Sequence, residues 1–404
     1  MKMNQLKKKM IPLAMAMALV ATGFAGNLAV QKTAYAEETP KTLIIKKVLT
    51  MPSEGVATPA ETFEFNFEAQ SFNGNTNNPT QTCPAIPANS GQIQTKYLAT
   101  DTTDSDTNTP GKQVVKTTDD ALKNVTWSKA GQYVYKVTEV EPNPGKAGMT
   151  YSKAEYTVSI FVEGTKDSKF KVKSIMIKQS KTDDDKVSSG DKVEYNPTDP
   201  TGSDNNFAFE NKYFPTGGND NPGAGDPSDA DKKGLVVSKK VADGAGASNT
   251  QTFKFSMNIA KPEGLVDDSA NFTYVVVSGG GKTVGQVQTG TYGSPVEIDL
   301  AHGDKVVLKS VHMGAKATVT ETDSAGYTAK YKVTSNGTAG SETEGTAASA
   351  LLGDANGGNS IEFTNTQQTP AGVIIDNLPF IILVAIAGMG IFFFVRNKRR
   401  SEEF

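Results

Sequence analysis

Short runs in which apolar and polar side chains alternate with a period of two constrain the fold of this chain most. Such runs occupy residues 62–67, 133–137 and 252–255, and clusters of Gly, Asn, Asp and Pro separate them. This alternation is typical of antiparallel strands that bury one face. The stretch between residues 37 and 371 shows little helical periodicity, so the sequence predicts an all-β fold built from β-sandwiches.

Three sequence patterns occur twice, once on each side of a Gly-, Asn- and Asp-rich segment at residues 214–231. The pairs are Leu43, Lys47 and Leu49 with Leu235, Lys239 and Val241, then Val137-Thr138-Glu139 with Val319-Thr320-Glu321, then Phe209-Glu210-Asn211 with Phe363-Thr364-Asn365. A repeat of this kind indicates two copies of one fold. We therefore predict two tandem Ig-like β-sandwiches, at residues 37–213 and 232–366, with 214–231 as the linker. Residues 73–110, rich in Thr, Asn, Asp and Pro, are predicted to be a mostly irregular surface insertion.

The Lys, Glu and Asn of these repeated motifs all fall on the apolar phase of their predicted strands. Lys47, for example, shares its phase with Leu43 and Ile45, so its side chain is expected to point into the core. A lone buried lysine is costly and usually avoided. Because both modules place a lysine there, we expect the two modules to share a chemical reason for it.

An internal amide bond is the chemistry that fits such a buried set. A desolvated lysine amine has a lowered pKa and becomes a neutral nucleophile, and an Asn side-chain amide can be its electrophile. A buried Glu can stay protonated, polarise the Asn carbonyl and carry protons to the leaving ammonia. The alternative is a buried Lys–Glu salt bridge with Asn as a hydrogen-bond partner. Lys46 and Lys240 are neighbouring rivals for the nucleophile, although the phase favours Lys47 and Lys239.

The repeated Lys–Glu–Asn set resembles the streptococcal-type pilin isopeptide-linkage domain, a relative of the collagen-adhesin B-type (CnaB) fold. The resemblance covers most of residues 39–213 and 232–366 and implies a Gram-positive backbone pilin. It implies two isopeptide bonds, Lys47 to Asn211 with Glu139 assisting, and Lys239 to Asn365 with Glu321 assisting. The sequence has no G-x-S-x-G motif and no metal-spaced His or Cys cluster, so no cofactor, no metal and no enzymatic turnover beyond the self-catalysed bonds are expected.

The first 36 residues have the three parts of a secretory signal peptide. A lysine-rich start is followed by an apolar stretch from Met10 to about Gly26 and by Ala34-Tyr35-Ala36, a small-x-small cleavage signal. The sequence therefore predicts a signal peptide at residues 1–36. The alternative, an uncleaved membrane anchor, is disfavoured by the short apolar stretch.

Residues 378–395 are apolar and are followed at once by a basic cluster at 396–400. This pattern predicts a C-terminal transmembrane helix with a cytoplasmic tail. Pro370-Ala371-Gly372 precedes the apolar stretch, and residues 367–404 together resemble a sortase cell-wall sorting signal. The pentapeptide at residues 368–372 departs from the common LPxTG form. The resemblance implies cleavage between Ala371 and Gly372 and anchoring at the Gram-positive cell wall after a membrane-bound precursor. The alternative is a plain single-pass membrane protein.

The resemblance implies a structural cell-surface subunit that is polymerised by a sortase or anchored to the wall. Its expected partners are a sortase and other pilin subunits or peptidoglycan; the alternative is a single wall-anchored adhesin that binds a host ligand. Several lysines could accept an intersubunit bond, and the sequence does not choose among Lys186, Lys192, Lys212, Lys232 and Lys233.

Charge and composition argue against other classes of function. The net charge of −3 becomes −9 when the five lysines of residues 1–36 and the net +1 of residues 372–404 are set aside. An acidic body disfavours nucleic-acid binding. The chain has two His and one Cys, so a His-rich metal site or a disulfide framework is not expected. Cys83 could be a reactive thiol or could form a thioester with a Gln, but without a recognisable thioester context it is interpreted as a lone loop cysteine.

Overall fold

Strands dominate the computed structural model, which confirms the all-β prediction. The structure describes residues 41–87, 91–102, 110–195, 207–218, 233–242, 250–278, 283–324, 326–367, 382–387, 389 and 391–392. The predicted signal peptide at 1–36 lies outside these residues, as does most of the predicted linker. The proposed domain boundaries therefore stay predictions.

The first module is built from two sheets. Its elements are β1 (Lys46–Met51), β2 (Glu61–Phe72), α1 (Pro79–Thr82), β3 (Ile93–Tyr97), β4 (Lys112–Thr117), β5 (Gly131–Val140), β6 (Met149–Thr150), β7 (Glu155–Gly164), β8 (Phe170–Lys181), β9 (Val193–Glu194) and β10 (Ala208–Tyr213). One sheet has the order β4-β1-β10-β6, and the other has the order β3-β2-β5-β7-β8-β9.

The second module repeats this plan with a larger first sheet. Its elements are β11 (Thr216–Gly217), β12 (Leu235–Val241), β13 (Phe253–Ala260), β14 (Asn271–Ser278), β15 (Thr283–Val284), β16 (Gln288–Thr291), β17 (Val296–Leu300), β18 (Lys305–His312), β19 (Lys316–Glu321), β20 (Tyr327–Ser335), β21 (Thr338–Ala339), β22 (Thr343–Glu344), β23 (Ala347–Leu351) and β24 (Asn359–Gln367). The larger sheet follows β15-β14-β18-β12-β24-β20-β21, and the smaller one follows β17-β13-β19-β23.

The first and last strands of each module lie side by side and run parallel. In the first module β1 pairs with β10, and Lys47 lies opposite Phe209. In the second module β12 pairs with β24, and Lys239 lies opposite Phe363. In both pairs the repeated Asn stands two residues beyond the partner of the Lys, so the two side chains share a face of the sheet.

The two sheets of each module pack face to face through aromatic rings. The ring centroids of Phe65 and Phe209 are 5.0 Å apart, and those of Phe255 and Phe363 are 5.1 Å apart. Along β5 the side chains alternate between buried and partly exposed positions. This is the burial pattern that the period-two alternation predicts.

Part of the predicted irregular insertion is regular. Within residues 73–110 the structure places helix α1 and strand β3, and β3 pairs with β2 from Glu61↔Tyr97 to Phe65↔Ile93. The expectation of a mostly irregular segment is therefore wrong for residues 93–97. Ile93, Thr95 and Tyr97 are buried on one face, so the strand carries a period-two pattern that the polar composition around it obscured.

The predicted transmembrane span lies only partly within the described residues. Residues 382–387, 389 and 391–392 are helical. In the part of the chain that the structure describes, no helix is both long and apolar enough to cross a bilayer. The span at 378–395 stays a prediction.

The two modules touch through pairs of glycines and a short strand. Gly55 approaches Gly314, and Gly111 approaches Gly264; all four have positive φ. Strand β11 pairs with β18, so the chain that leaves the first module is already part of the second module's sheet. These contacts lie within one compact unit that begins at Lys41.

Candidate functional site

The first module brings Lys47, Glu139 and Asn211 together in its core. Lys47 Nζ donates a hydrogen bond to Glu139 Oε2 at 2.7 Å, and Asn211 Nδ2 donates to Glu139 Oε1 at 2.6 Å. The Lys and Glu side chains are fully buried, and Asn211 is 0% exposed. One carboxylate therefore bridges the lysine amine and the asparagine amide nitrogen.

The second module assembles the same three residue types with the same connections. Lys239 Nζ donates to both carboxylate oxygens of Glu321 at 3.0 Å, and Asn365 Nδ2 donates to Glu321 Oε1 at 2.5 Å. The Lys and Glu side chains are again fully buried.

The strand register explains why the sites are alike. The lysine and asparagine come from the parallel first and last strands, while the glutamate comes from the facing sheet. Glu139 pairs with Phe65 across β5 and β2, and Glu321 pairs with Phe255 across β19 and β13. Each glutamate is thereby directed from one sheet towards the Lys–Asn pair on the other.

An aromatic ring covers each lysine amine. Lys47 Nζ lies 4.8 Å from the centroid of the Phe63 ring, and Lys239 Nζ lies 4.1 Å from that of Phe253. Ring faces attract a cation but exclude water. Phe63 and Phe253 belong to the Phe-x-Phe strands that follow each lysine motif, and their rings thus shield the amines from water.

Burial shifts the acid–base equilibria of Lys47, Lys239 and Glu139 towards their neutral forms. Desolvation lowers the pKa of Lys47 to about 8, against the opposing effect of the Glu139 charge, and desolvation likewise lowers the pKa of Lys239 to about 8. Desolvation raises the pKa of Glu139, although Lys47 and Asn211 oppose this shift. Burial therefore reduces the free-energy difference between two states of the pair: the ion pair, and a neutral amine beside a protonated carboxyl.

The geometry favours a proton-relay role for the glutamate. Glu139 contacts the amide nitrogen of Asn211, which would be the leaving group, rather than the carbonyl oxygen that it was expected to polarise. A carboxyl group that touches both the nucleophile and the leaving group can take a proton from one and give it to the other. The Asn211 oxygen instead accepts a hydrogen bond from the backbone N–H of Ser152 at 2.8 Å.

The neighbouring lysines lie outside both sites. Lys46 is partly exposed, and Lys240 is exposed, whereas Lys47 and Lys239 are buried. The structure thus brings together, in each module, the three side chains that the strand phase selected.

The predicted sortase cleavage site and the candidate acceptor lysines do not come together in one place, and some of these residues fall outside the described part of the chain. Ala371 and Gly372 of the expected sortase cleavage site fall outside the described residues, as does Lys232. Lys186 is exposed, Lys192 Nζ lies 5.5 Å from the Phe161 ring, and Lys212 forms a 3.6 Å ion pair with Asp184. Lys233 donates to the carbonyl oxygen of Asp354. None of these contacts selects an intersubunit acceptor.

One residue of the first site, Ser152, was not expected from the sequence, and the burial of Cys83 elsewhere in the first module was not expected either. Ser152 acts through its backbone N–H, which carries no sequence signal. Cys83, expected in a loop without a role, is buried and donates weakly to the Ser71 carbonyl oxygen. Across the described residues, no group of His, Cys, Asp or Glu is arranged to hold a metal ion.

The fold and the two sites define a class: paired β-sandwiches, each with a buried Lys–Glu–Asn set between its first and last strands. Residues 43–214 match the family of Spy0128-like isopeptide-containing domains, and residues 233–367 match a domain family of unknown function, DUF7601. The match of residues 43–214 confirms the resemblance of the first module to isopeptide-containing domains.

Solved structures with similarity to this chain include pilus proteins. The major pilin of Streptococcus pyogenes is 20% identical with a TM-score of 0.33, over 81% of this chain and 99% of that chain. The major pilin T3.2 of the same species is 16% identical with a TM-score of 0.32, over 81% and 98%. A pilus-presented adhesin is 16% identical with a TM-score of 0.24, over 48% and 35%. Comparison with curated proteins gave no match.

Proposed function

We propose that this chain is a structural pilus subunit of the Gram-positive cell surface whose two modules are each closed by an internal Lys–Asn isopeptide bond. The observation that carries the proposal is the duplicated buried site, with Lys47, Glu139 and Asn211 in one module and the same three residue types in the other. The match of the first module to an isopeptide-containing family supports it.

In each module the reaction joins the first strand to the last. The neutral lysine Nζ attacks the asparagine Cγ, the glutamate carries a proton from Nζ to Nδ2, and the Cγ–Nδ2 bond breaks to release ammonia. The fold holds both reactants in place, so their effective concentration replaces an external catalyst. The product is a neutral secondary amide, which removes the buried lysine charge that opposes folding.

The mass of the purified chain tests this proposal. Residues 37–366, expressed without any sortase, are expected to be lighter than the translated sequence by about 34 Da, one ammonia for each of two bonds. Glu139→Ala or Glu321→Ala is expected to halve the deficit, and a digest should yield the branched peptides Lys47–Asn211 and Lys239–Asn365. A mass equal to that of the translated sequence would refute both bonds.

We further propose that a sortase cuts between Ala371 and Gly372 and joins the new carboxyl end to a lysine of another subunit or to peptidoglycan. The order of a Pro-x-Gly motif, an apolar stretch and a basic tail in residues 367–404 supports this step. In wall extracts the expected product is a ladder of covalent multimers that disappears when a pilin-type sortase is deleted. Monomers joined only to wall fragments would instead favour a single wall-anchored adhesin.

A further inference from the structure

The asparagine oxygens of the two sites differ in their surroundings. Asn211 Oδ1 accepts a hydrogen bond from the backbone N–H of Ser152, and both residues are buried. Asn365 Oδ1 is also buried, but it has no hydrogen-bond partner among the described residues. In either site the asparagine Oδ1 gains negative charge when an amine adds to the amide carbon, so a hydrogen-bond donor to this atom stabilises the transition state.

The local strand path explains the difference. Strand β6 pairs with β10 at only two positions, Lys212↔Thr150 and Tyr213↔Met149, and the chain then leaves the sheet. The Ser152 N–H is thereby free to turn towards the Asn211 side chain. In the second module β20 stays paired with β24 from Tyr327↔Gln367 to Thr334↔Ser360, past Asn365.

One carboxylate oxygen fixes the Ser152 segment against the strand that carries Asn211. Asp183 Oδ1 accepts a hydrogen bond from Ser152 Oγ at 2.5 Å and another from the Glu210 N–H at 2.8 Å. Ser152 Oγ in turn accepts from the Ala154 N–H at 3.1 Å. Because Glu210 directly precedes Asn211, Asp183 ties the donor and the acceptor to a single atom.

We propose that the Ser152 backbone N–H is an oxyanion donor for the first isopeptide bond, that Asp183 positions it, and that the first bond therefore forms faster than the second. This inference rests on the proposed function. As Lys47 Nζ adds to Asn211 Cγ, the carbonyl electrons move onto Oδ1 and are held by the Ser152 N–H. They return when the Cγ–Nδ2 bond breaks and ammonia leaves with the proton that Glu139 relays.

The rates of the two bonds in one molecule test this inference. The full-length chain would be synthesised in a cell-free system, quenched in denaturant at intervals, and digested to measure each branched peptide by mass. In the wild-type chain the Lys47–Asn211 peptide is expected to accumulate first. Asp183→Ala is expected to slow this bond by tenfold or more, towards the roughly hundredfold that losing one oxyanion donor costs. The Lys239–Asn365 bond in the same molecules should keep its rate.

Asp183→Asn separates positioning from charge. Both Asp183 variants remove the negative charge, but Asn retains an acceptor oxygen, so it should restore most of the rate. Asp184→Ala is the matched control, because Asp184 is exposed and pairs with Lys212 at the surface; it should leave both rates unchanged. If Asp183→Ala fails to fold, Ser152→Ala removes the same hydroxyl–carboxylate link and should slow the first bond.

The outcomes separate the two proposals. Equal rates for the two wild-type bonds, or an Asp183→Ala rate equal to the wild-type rate, would overturn the oxyanion assignment while leaving the isopeptide bonds intact. An Asp183→Asn variant as slow as Asp183→Ala would also overturn it, because charge would then explain the effect. A wild-type chain that forms neither branched peptide would overturn the proposed function itself.

Discussion

At the scale of single residues, the two buried lysines are the least expected choice in the chain. Lys47 and Lys239 are 0% and 1% exposed, and burial of a charged amine is normally avoided. Each has a carboxylate partner, but a buried ion pair is weak support for stability because both charges lose their hydration. The proposed conversion to a neutral amide would give this placement of the lysines a chemical purpose.

The rate of bond formation should depend on pH with a maximum at intermediate values. The reactive pair, a neutral Lys47 beside a protonated Glu139, holds one proton. At low pH both groups are protonated, and at high pH neither is. Because desolvation lowers the pKa of both lysines to about 8, the rate should fall above about pH 8 in both modules. Refolding unreacted chain from denaturant at a series of pH values, with branched peptides measured by mass, checks this.

If the amines stayed hydrated, the rate would follow the ordinary pKa of lysine in water, and this outcome would contradict the prediction. A rate that keeps rising towards the ordinary lysine value of 10.5 would show that the amines are not desolvated before they react. Circular dichroism at each pH would identify any loss of rate that comes from failure to fold.

At the scale of elements, the parallel pairs β1–β10 and β12–β24 carry the lysines and asparagines that the proposed reaction would join. Parallel neighbours place residues in a constant register, so the offset of two residues between the partner of each Lys and the reactive Asn recurs in both modules. Two paired strands of the facing sheet then complete the site, one with the Phe-x-Phe pattern and the other with the glutamate.

Blocking the first bond should lower the stability of the first module alone. Glu139→Gln keeps the side-chain volume but removes the proton relay. Closing the chain between residues 47 and 211 is worth about 5 kcal/mol in the loop-entropy treatment of cross-links. The first module's unfolding transition should therefore move to a lower temperature in calorimetry, while the transition of the second stays in place.

Glu141→Gln is the control for that experiment. Glu141 is near the end of β5 and about half exposed, and it pairs with Lys153 at the surface, so its loss should change stability by less than about 1 kcal/mol. An unchanged first transition in Glu139→Gln would mean that the bond adds no stability.

Much of this arrangement of strands could be predicted from the sequence, and the features that could not be predicted have physical reasons. Period two predicted the buried faces of β2 and β5 and the inward phase of Lys47, because a strand turns alternate side chains to opposite faces. The motif spacing also placed Glu139 and Asn211 in one core. The Ser152 donor could not be predicted, since it depends on where the short strand β6 leaves its sheet.

At the scale of the whole molecule, glycines of both modules take part in the contact between the modules. A Cβ placed on Gly264 would lie 2.9 Å from the Pro110 carbonyl oxygen and 3.2 Å from the Gly111 Cα, across the interface. Gly264 also has a φ of +87°, which side-chain-bearing residues rarely adopt. The close approach therefore depends on both glycines.

Gly264→Ala should separate the modules without preventing either isopeptide bond. The added methyl group has no room at the interface, so the radius of gyration measured by small-angle X-ray scattering should increase while the mass deficit persists. Gly293→Ala is the matched control, because Gly293 has a φ of +80° but nothing within 4 Å of an added Cβ. If Gly264→Ala and Gly293→Ala increase the radius of gyration equally, backbone strain would be responsible rather than the loss of the interface contact.

The parallel pairing of first and last strands has a topological consequence. Once Lys47 is joined to Asn211 and Lys239 to Asn365, the polypeptide is no longer a line but two closed rings in series, each with a tail entering and leaving. A protease that cuts once inside a ring leaves every atom still connected. An unfolding machine that threads a single strand would meet three strands at each branch point. The chain would therefore resist processive degradation even when fully denatured.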